Sequence, residues 1–177
     1  MIRISTAKKF FLTSISIFIF TTALFFVFFE IAKVDVSTSS MIPTLNPGDY
    51  FLSYKFSTPK RFRIFLIDDP EHEKKILVKR IIGLPSEKLD IYHGIVRING
   101  SGLYEPYLKT IEKRGGTSSF LNRSIQISQD NYFFLGDNRN VSEDSRDFGT
   151  VHKAHFRGRV ILIFWPVKNE KIFWEGR

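Results

Sequence analysis

The chain has 177 residues, 43% hydrophobic and 25% charged, the balance of one folded globular domain, which excludes global disorder. It contains no cysteine, and that removes disulfides, thiolate zinc sites and thiol catalysis together. The formal net charge is +8, but apart from a short run at Lys60, Arg61 and Arg63 the basic residues are scattered, so nucleic acid is not an expected partner.

Arg3, Lys8 and Lys9 precede residues 10–29, which read FFLTSISIFIFTTALFFVFF without a charge. A helix of that length spans roughly 30 Å, the thickness of a bilayer core. Its serines and threonines can return their hydroxyls to the helix backbone. The stretch is longer than the roughly 7–15-residue apolar core of a cleaved secretory signal. Glu30-Ile31-Ala32-Lys33 is also a poor small-residue cleavage site, so a retained transmembrane helix is expected. The positive charges predict that residues 1–9 stay in the cytoplasm and residues 30–177 lie outside it, on a single-pass anchor in the inner (plasma) membrane. A tether from residue 30 to residue 40 spans at most roughly 35 Å, which keeps any chemistry at Ser40 near the membrane surface.

Beyond residue 34, period-2 alternation and turn signals dominate. Strands are predicted over residues 50–56, 61–67, 75–82, 89–92, 95–98, 125–127, 132–135 and 159–165. Asn46-Pro47-Gly48-Asp49 marks a turn and His93-Gly94 a two-residue hairpin loop. Residues 99–102 close that hairpin unit, and residues 113–119 (KRGGTSS) read as a mobile loop. The sum is a mostly-β domain of short strands.

Three segments of this domain carry groups suited to chemistry. The first, Thr38-Ser39-Ser40-Met41-Ile42-Pro43-Thr44-Leu45, offers a serine just before a direction-fixing proline. In the second, residues 76–85, strand alternation places Leu77, Lys79 and Ile81 on one face and Val78, Arg80 and Ile82 on the other. Two such cations can be edge residues whose heads reach water. Alternatively, Lys79 is held among apolar groups that disfavour its ammonium. At the reference pKa only about 0.04% of a lysine is neutral at pH 7; a drop of about 3 units makes the free amine common. A neutral lysine can then take the proton of a serine nucleophile. The third segment, residues 136–149, is rich in backbone-bonding groups and by itself reads as a structural loop or even a carboxylate-rich metal site. Asp144 and Arg146 share a side if that stretch is extended, so a local ion pair is expected.

Taken in this order, the three segments make the chain resemble the type I (leader) signal peptidases from about residue 37 to residue 167. The motifs are S-M-x-P-T-L, here Ser40 to Leu45; V-K-R-x-x-G-L-P, here Val78 to Pro85; and G-D-N-R-x-x-S-x-D-S-R-x-x-G, here Gly136 to Gly149. The resemblance implies a signal-peptidase-like β catalytic core with a small β extension. It implies Ser40 as nucleophile and Lys79 as general base, with Ser142 orienting the lysine and Asp144 and Arg146 forming a supporting salt bridge. The oxyanion would be held by the Ser40 N–H and the Thr38 hydroxyl. No cofactor or metal is implied. Substrates would be exported pre-proteins cut after small residues at Ala-x-Ala sites, with membrane lipids and the secretion translocon as neighbours. Ile42, Leu77 and Phe134 are candidates for lining the substrate pockets. The chain departs from the family at Phe62-Arg63, where relatives commonly have Gly-Asp, and at Ser86, where glycine is usual. Residues 99–130 are short, implying a reduced second lobe.

Other readings are weaker. None of His72, His93, His152 and His155 lies in a recognisable catalytic box, and G-x-S-x-G is absent, which argues against a Ser-His-Asp hydrolase. A metal bound by His152, His155 and Asp147 is less favoured than exposed histidines in a basic turn. Within proteases the alternative is a maturation peptidase of a conjugation system with one dedicated substrate. Outside them it is an inactive membrane-anchored domain that binds exported peptides.

Overall fold

The computed structural model describes residues 6–35, 37–108, 122–169 and 171–173. Arg3 and the loop expected at residues 113–119 lie outside them. Helix α1 (Thr6–Phe28) buries none of its residues and is long and apolar enough to cross a membrane. An apolar helix with no protein-covered stripe suits lipid on every side. The Thr13 and Ser14 hydroxyls donate to the Phe10 carbonyl at 2.8 and 2.9 Å, as the sequence suggested.

The expected tether is replaced by structure. Strand β1 (Phe29–Lys33) follows α1 directly and pairs antiparallel with β2 (Tyr50–Tyr54), with Ile31 opposite Leu52. The Lys55 ammonium donates to the Phe26 carbonyl at 2.8 Å, satisfying one of the acceptors that a helix end leaves open. The helix therefore hands its chain straight to the sheet.

The other strands are β3 (Ile64–Asp68), β4 (Ile76–Gly83), β5 (Lys88–Tyr92), β6 (Ile95–Ile98), β7 (Ser101–Gly102), β8 (Arg123–Gln126), β9 (Asn131–Leu135), β10 (Val151–His152), β11 (Phe156–Trp165) and β12 (Lys171–Ile172). Between β9 and β10 lies one helical turn, α2 (Ser145–Phe148). The main sheet runs β1-β2-β11-β3-β4-β9-β10, with β12 added on β11; a second sheet runs β7-β6-β5-β8. The second sheet thus begins at Lys88, ahead of the boundary expected at residue 99. The His93-Gly94 hairpin belongs to it because Leu89, Ile91 and Val96 bury with Ile127, which follows β8, against Ile82 and Phe133 at the end of the main sheet.

Strand β3 shows why the main sheet is two-sided. Ile64 and Leu66 enter one apolar cluster with Met41, Leu45 and Phe51, while Phe65 and Ile67 enter another with Leu77, Ile81 and Phe134. The two departures from the family pattern have a backbone signature: Phe62 (φ 69°) and Ser86 (φ 67°) both occupy the left-handed region, which glycine enters freely and side chains with a Cβ do not. Phe62 offsets that strain with its ring, which packs edge-on against Tyr107 at 5.7 Å between centroids.

Candidate active site

Ser40 opens a single turn of chain. The Ile42 N–H donates to the Ser39 carbonyl at 3.2 Å, and the Thr44 and Leu45 N–H groups donate to the Met41 carbonyl at 2.8 and 3.0 Å. This winding puts Met41 and Leu45 on one side, where both are buried against Phe51 and Leu66. With its neighbour anchored in the core, the half-buried Ser40 lines a cleft of about 510 Å³ shared with Lys79 and Thr38. The walls are mostly apolar, with Ala32, Val34, Leu66, Leu77 and Val78 among them. Leu77 thus takes the position expected of it. Phe134 does not: it is fully buried in the core, packed among Phe65, Ile81, Val151 and the ring of Phe156. Ile42 is not among the lining residues.

Lys79 is 3% exposed. Phe65 lies directly opposite it on β3, and Leu77 and Ile81 flank it along β4. Burial in these surroundings pushes its pKa down to about 8, against the opposing pull of the Asp144 and Glu143 carboxylates. Its Nζ donates to the Ser142 hydroxyl at 3.1 Å. The Ser142 N–H in turn donates to the Asn138 carbonyl, and the Asn138 N–H to the Ser40 carbonyl at 2.9 Å. The third segment therefore touches both the serine and the lysine segments.

The Asp144–Arg146 pair forms, but not in the extended stretch that the sequence suggested. Asp144 is the N-cap of α2, with a capping box closed by Asp147, and the turn swings the Arg146 guanidinium back onto the cap. Arg146 Nε and Nη2 donate to the two Asp144 carboxylate oxygens at 2.8 and 2.9 Å, and Nη2 also donates to the Ser142 carbonyl at 3.1 Å. The second Asp144 oxygen accepts from the Gly136 N–H at 3.0 Å. Thr38 lines the cleft with its hydroxyl donating to the Asp35 carbonyl at 3.3 Å.

Below this level lies a buried polar network that the sequence reading missed. Arg80 Nε and Nη2 donate to the Asp137 carboxylate at 2.8 and 2.6 Å, and the Thr44 hydroxyl donates to the same carboxylate. One residue from each of the three motifs meets there. The Arg80 guanidinium stacks 4.0 Å from the centroid of the Tyr107 ring, and Arg139 pairs with Glu105. The available signal was in the motifs themselves: Arg80 and Arg139 sit in apolar or turn surroundings, and a buried arginine requires an acidic partner.

Residues 7–165 match the family described as signal peptidase, peptidase S26. The chain is 33% identical to signal peptidase I of Leptolyngbya laminosa over 145 residues, which is 76% of this chain and 68% of that protein. It is 34% identical to signal peptidase I V of Bacillus subtilis (strain 168) over 131 residues, 67% of this chain and 77% of that one. The crystal structure of a signal peptidase I from Enterococcus faecalis V583 superposes with a TM-score of 0.51 at 31% identity, covering 58% of this chain and 97% of that chain. With motifs, fold and relatives in agreement, the chain belongs to the S26 family of signal peptidases.

Proposed function

We propose that this chain is a membrane-anchored serine endopeptidase that removes signal peptides from exported pre-proteins, with Ser40 as nucleophile and Lys79 as general base. The observation that carries the reading is a buried lysine of lowered pKa in the same cleft as the half-buried serine. Neutral Lys79 takes the Ser40 proton as Oγ attacks the scissile carbonyl. The oxyanion is held by the Ser40 N–H and, after rotation away from Asp35, by the Thr38 hydroxyl. Lysine then gives its proton to the departing amine, leaving an acyl-enzyme that a water, deprotonated by Lys79, hydrolyses. Ser142 and the Asp144–Arg146 pair hold the lysine in place.

Strand β4 pairs with β3 along its first half and with β9 only from Arg80 onward. Among the described residues its outer edge at Ile76–Val78 carries no strand, and these residues line the cleft. An extended peptide can add to such an edge through main-chain hydrogen bonds, with alternate side chains entering the wall. Small residues before the cut suit an apolar wall that admits them and excludes larger ones by clash.

Lys8 and Lys9 at the start of α1 support a cytoplasmic N-terminus, and the direct passage into β1 supports a site close to the outer surface. Lipids and, where pre-proteins emerge, the secretion translocon are then its neighbours. Purified protein in detergent is expected to cleave a pre-protein after its Ala-x-Ala site. In spheroplasts, protease added to the outer face is expected to remove both the domain and this activity. An intact pre-protein under the first condition sinks the proposed function, and full protection under the second sinks the orientation.

The lysine also fixes the sign of the pH dependence. The reactive form is the neutral amine, so kcat/KM is expected to rise with pH through a midpoint near 8 and level off above it. Stability follows the same group. Its folded pKa lies below the ordinary value of 10.5, so the unfolded chain holds more protons between pH 8 and 10.5. Stability therefore rises with pH across that window, and below pH 8 the buried ammonium costs about 3 kcal/mol. Lys79→Met is expected to be more stable than the parent by about that much at pH 7. Urea unfolding of both proteins should show the gap closing towards pH 10.5; a gap independent of pH would contradict the assignment.

A further inference from the structure

Glu105 and Tyr107 lie outside the three motifs, in the chain that leaves the second sheet after β7. Glu105 is 1% exposed, far too buried for a carboxylate without a partner. Its partners are Arg139, which donates to both carboxylate oxygens, and the Tyr107 hydroxyl, which donates to one of them. Replacing a buried ion pair with apolar residues is often neutral or stabilising, so this one asks for a role beyond holding the fold.

The contacts lead to the reacting groups by short paths. Arg139 reaches past Glu105: its Nε donates to the Gly136 carbonyl at 3.0 Å. Gly136 is the point at which the serine and lysine supports touch. A Cβ built there would fall 2.2 Å from the Ser142 hydroxyl and 2.5 Å from the Ser40 carbonyl oxygen. Ser142 is the residue that receives the Lys79 hydrogen bond. Tyr107 acts on the other side of the same glycine. Its ring supports the Arg80 guanidinium, which grips Asp137, the residue after Gly136. Arg80 is itself the strand neighbour of Lys79.

We propose that Glu105 and Tyr107 are positioning residues for the peptidase reaction, a latch from the second lobe that sets Gly136 through Arg139 and Arg80 and so fixes Lys79 against Ser142. This rests on the Ser40–Lys79 reading above. The second lobe then has a function without touching substrate: its return segment tensions the loop on which the base depends. Neither residue lines the cleft, so substrate affinity lies outside their reach.

The test uses the full-length protein in detergent with a pre-protein substrate and Ser40→Ala as reference. Glu105→Gln keeps the shape and some of the hydrogen bonds while removing the charge. It is expected to lower kcat about tenfold with KM within about twofold, since removing the charge that holds Arg139 loosens the loop but leaves the cleft intact. The acid limb of kcat/KM should move to higher pH, because a loosened Ser142 admits water to Lys79. The groups bearing on that limb, Lys75 on β4's approach and Glu143, Asp144 and Arg146 on the α2 loop, are all retained in the variant. Glu105→Asp should recover part of the loss, and Tyr107→Leu should resemble Glu105→Gln. A purely structural role would lower the melting temperature while the folded enzyme kept the parent kcat and pH midpoint, and that result overturns the proposal. Should Tyr107→Leu fail to fold, Tyr107→Phe, which keeps the ring over Arg80 and loses the hydroxyl, gives the same readouts with a smaller drop in kcat. An active Ser40→Ala enzyme would instead overturn the dyad itself, so the two failures are distinguishable.

Discussion

Ser40→Ala and Lys79→Ala are each expected to lose cleavage by about 1,000-fold or more while remaining folded. As a proposed dyad the two groups act as one device, so the double variant should be no slower than the worse single one. Independent contributions would multiply instead. In the proposed mechanism the serine supplies the covalent bond to the substrate, and without it no acyl-enzyme forms. The lysine matters because serine is a weak nucleophile unless a base takes its proton. At a pKa near 8 about one Lys79 in ten is already neutral at pH 7, against roughly four in ten thousand for an ordinary lysine. Lys79→Arg should be as inactive as Lys79→Ala, because a guanidinium keeps its proton at any accessible pH. Far-UV circular dichroism and a thermal melt would establish folding, and initial rates on a pre-protein would measure the loss. Near-parental turnover by either single variant would remove the dyad.

Ser40 and Lys79 were singled out in the sequence for different reasons. Lys79 followed from alternation: Leu77 and Ile81 on its face predicted an apolar setting, and β4 delivers it. Ser40 gained meaning only from its motif, because nothing in Thr38-Ser39-Ser40 alone separates a nucleophile from a loop. The strands were readable wherever one face alternated, as in β2, β5 and β6. Strand β1 was not, since Glu30 and Lys33 look like anchor flanks and only pairing with β2 makes them a strand. The α2 turn was hidden likewise. Asp144-Ser145-Arg146-Asp147 reads as polar loop until the capping geometry closes it. Least legible was the Glu105–Arg139 contact, which joins residues 34 apart from two different sheets' connections. Long-range pairing of that kind leaves no local period, and only the need of a buried arginine for an acid points to it.

Gly136→Ala tests how closely the dyad depends on the loop beneath it, and it is expected to lower kcat by about 100-fold. The added Cβ would sit 2.2 Å from the Ser142 hydroxyl, 2.5 Å from its Cβ and 2.5 Å from the Ser40 carbonyl oxygen. Rotating the Ser142 side chain relieves only the first of these. The other two need movement of the α2 loop or of the Ser40 turn, and either shifts Ser40 relative to Lys79, its proposed base. Overpacking of this kind also costs stability, about 1–3 kcal/mol. Gly83→Ala supplies the comparison. Its Cβ would meet the end of the Ile127 side chain at 2.3 Å in the core of the second sheet, an overlap of similar size away from the cleft. That variant should melt at a lower temperature yet cleave at nearly the parental rate per folded molecule. If the two variants lose stability alike and both keep their turnover, Gly136 is merely a packing position. If only Gly136→Ala loses turnover, the contact between the Ser142 and Ser40 segments is what sets the distance across which the proton moves.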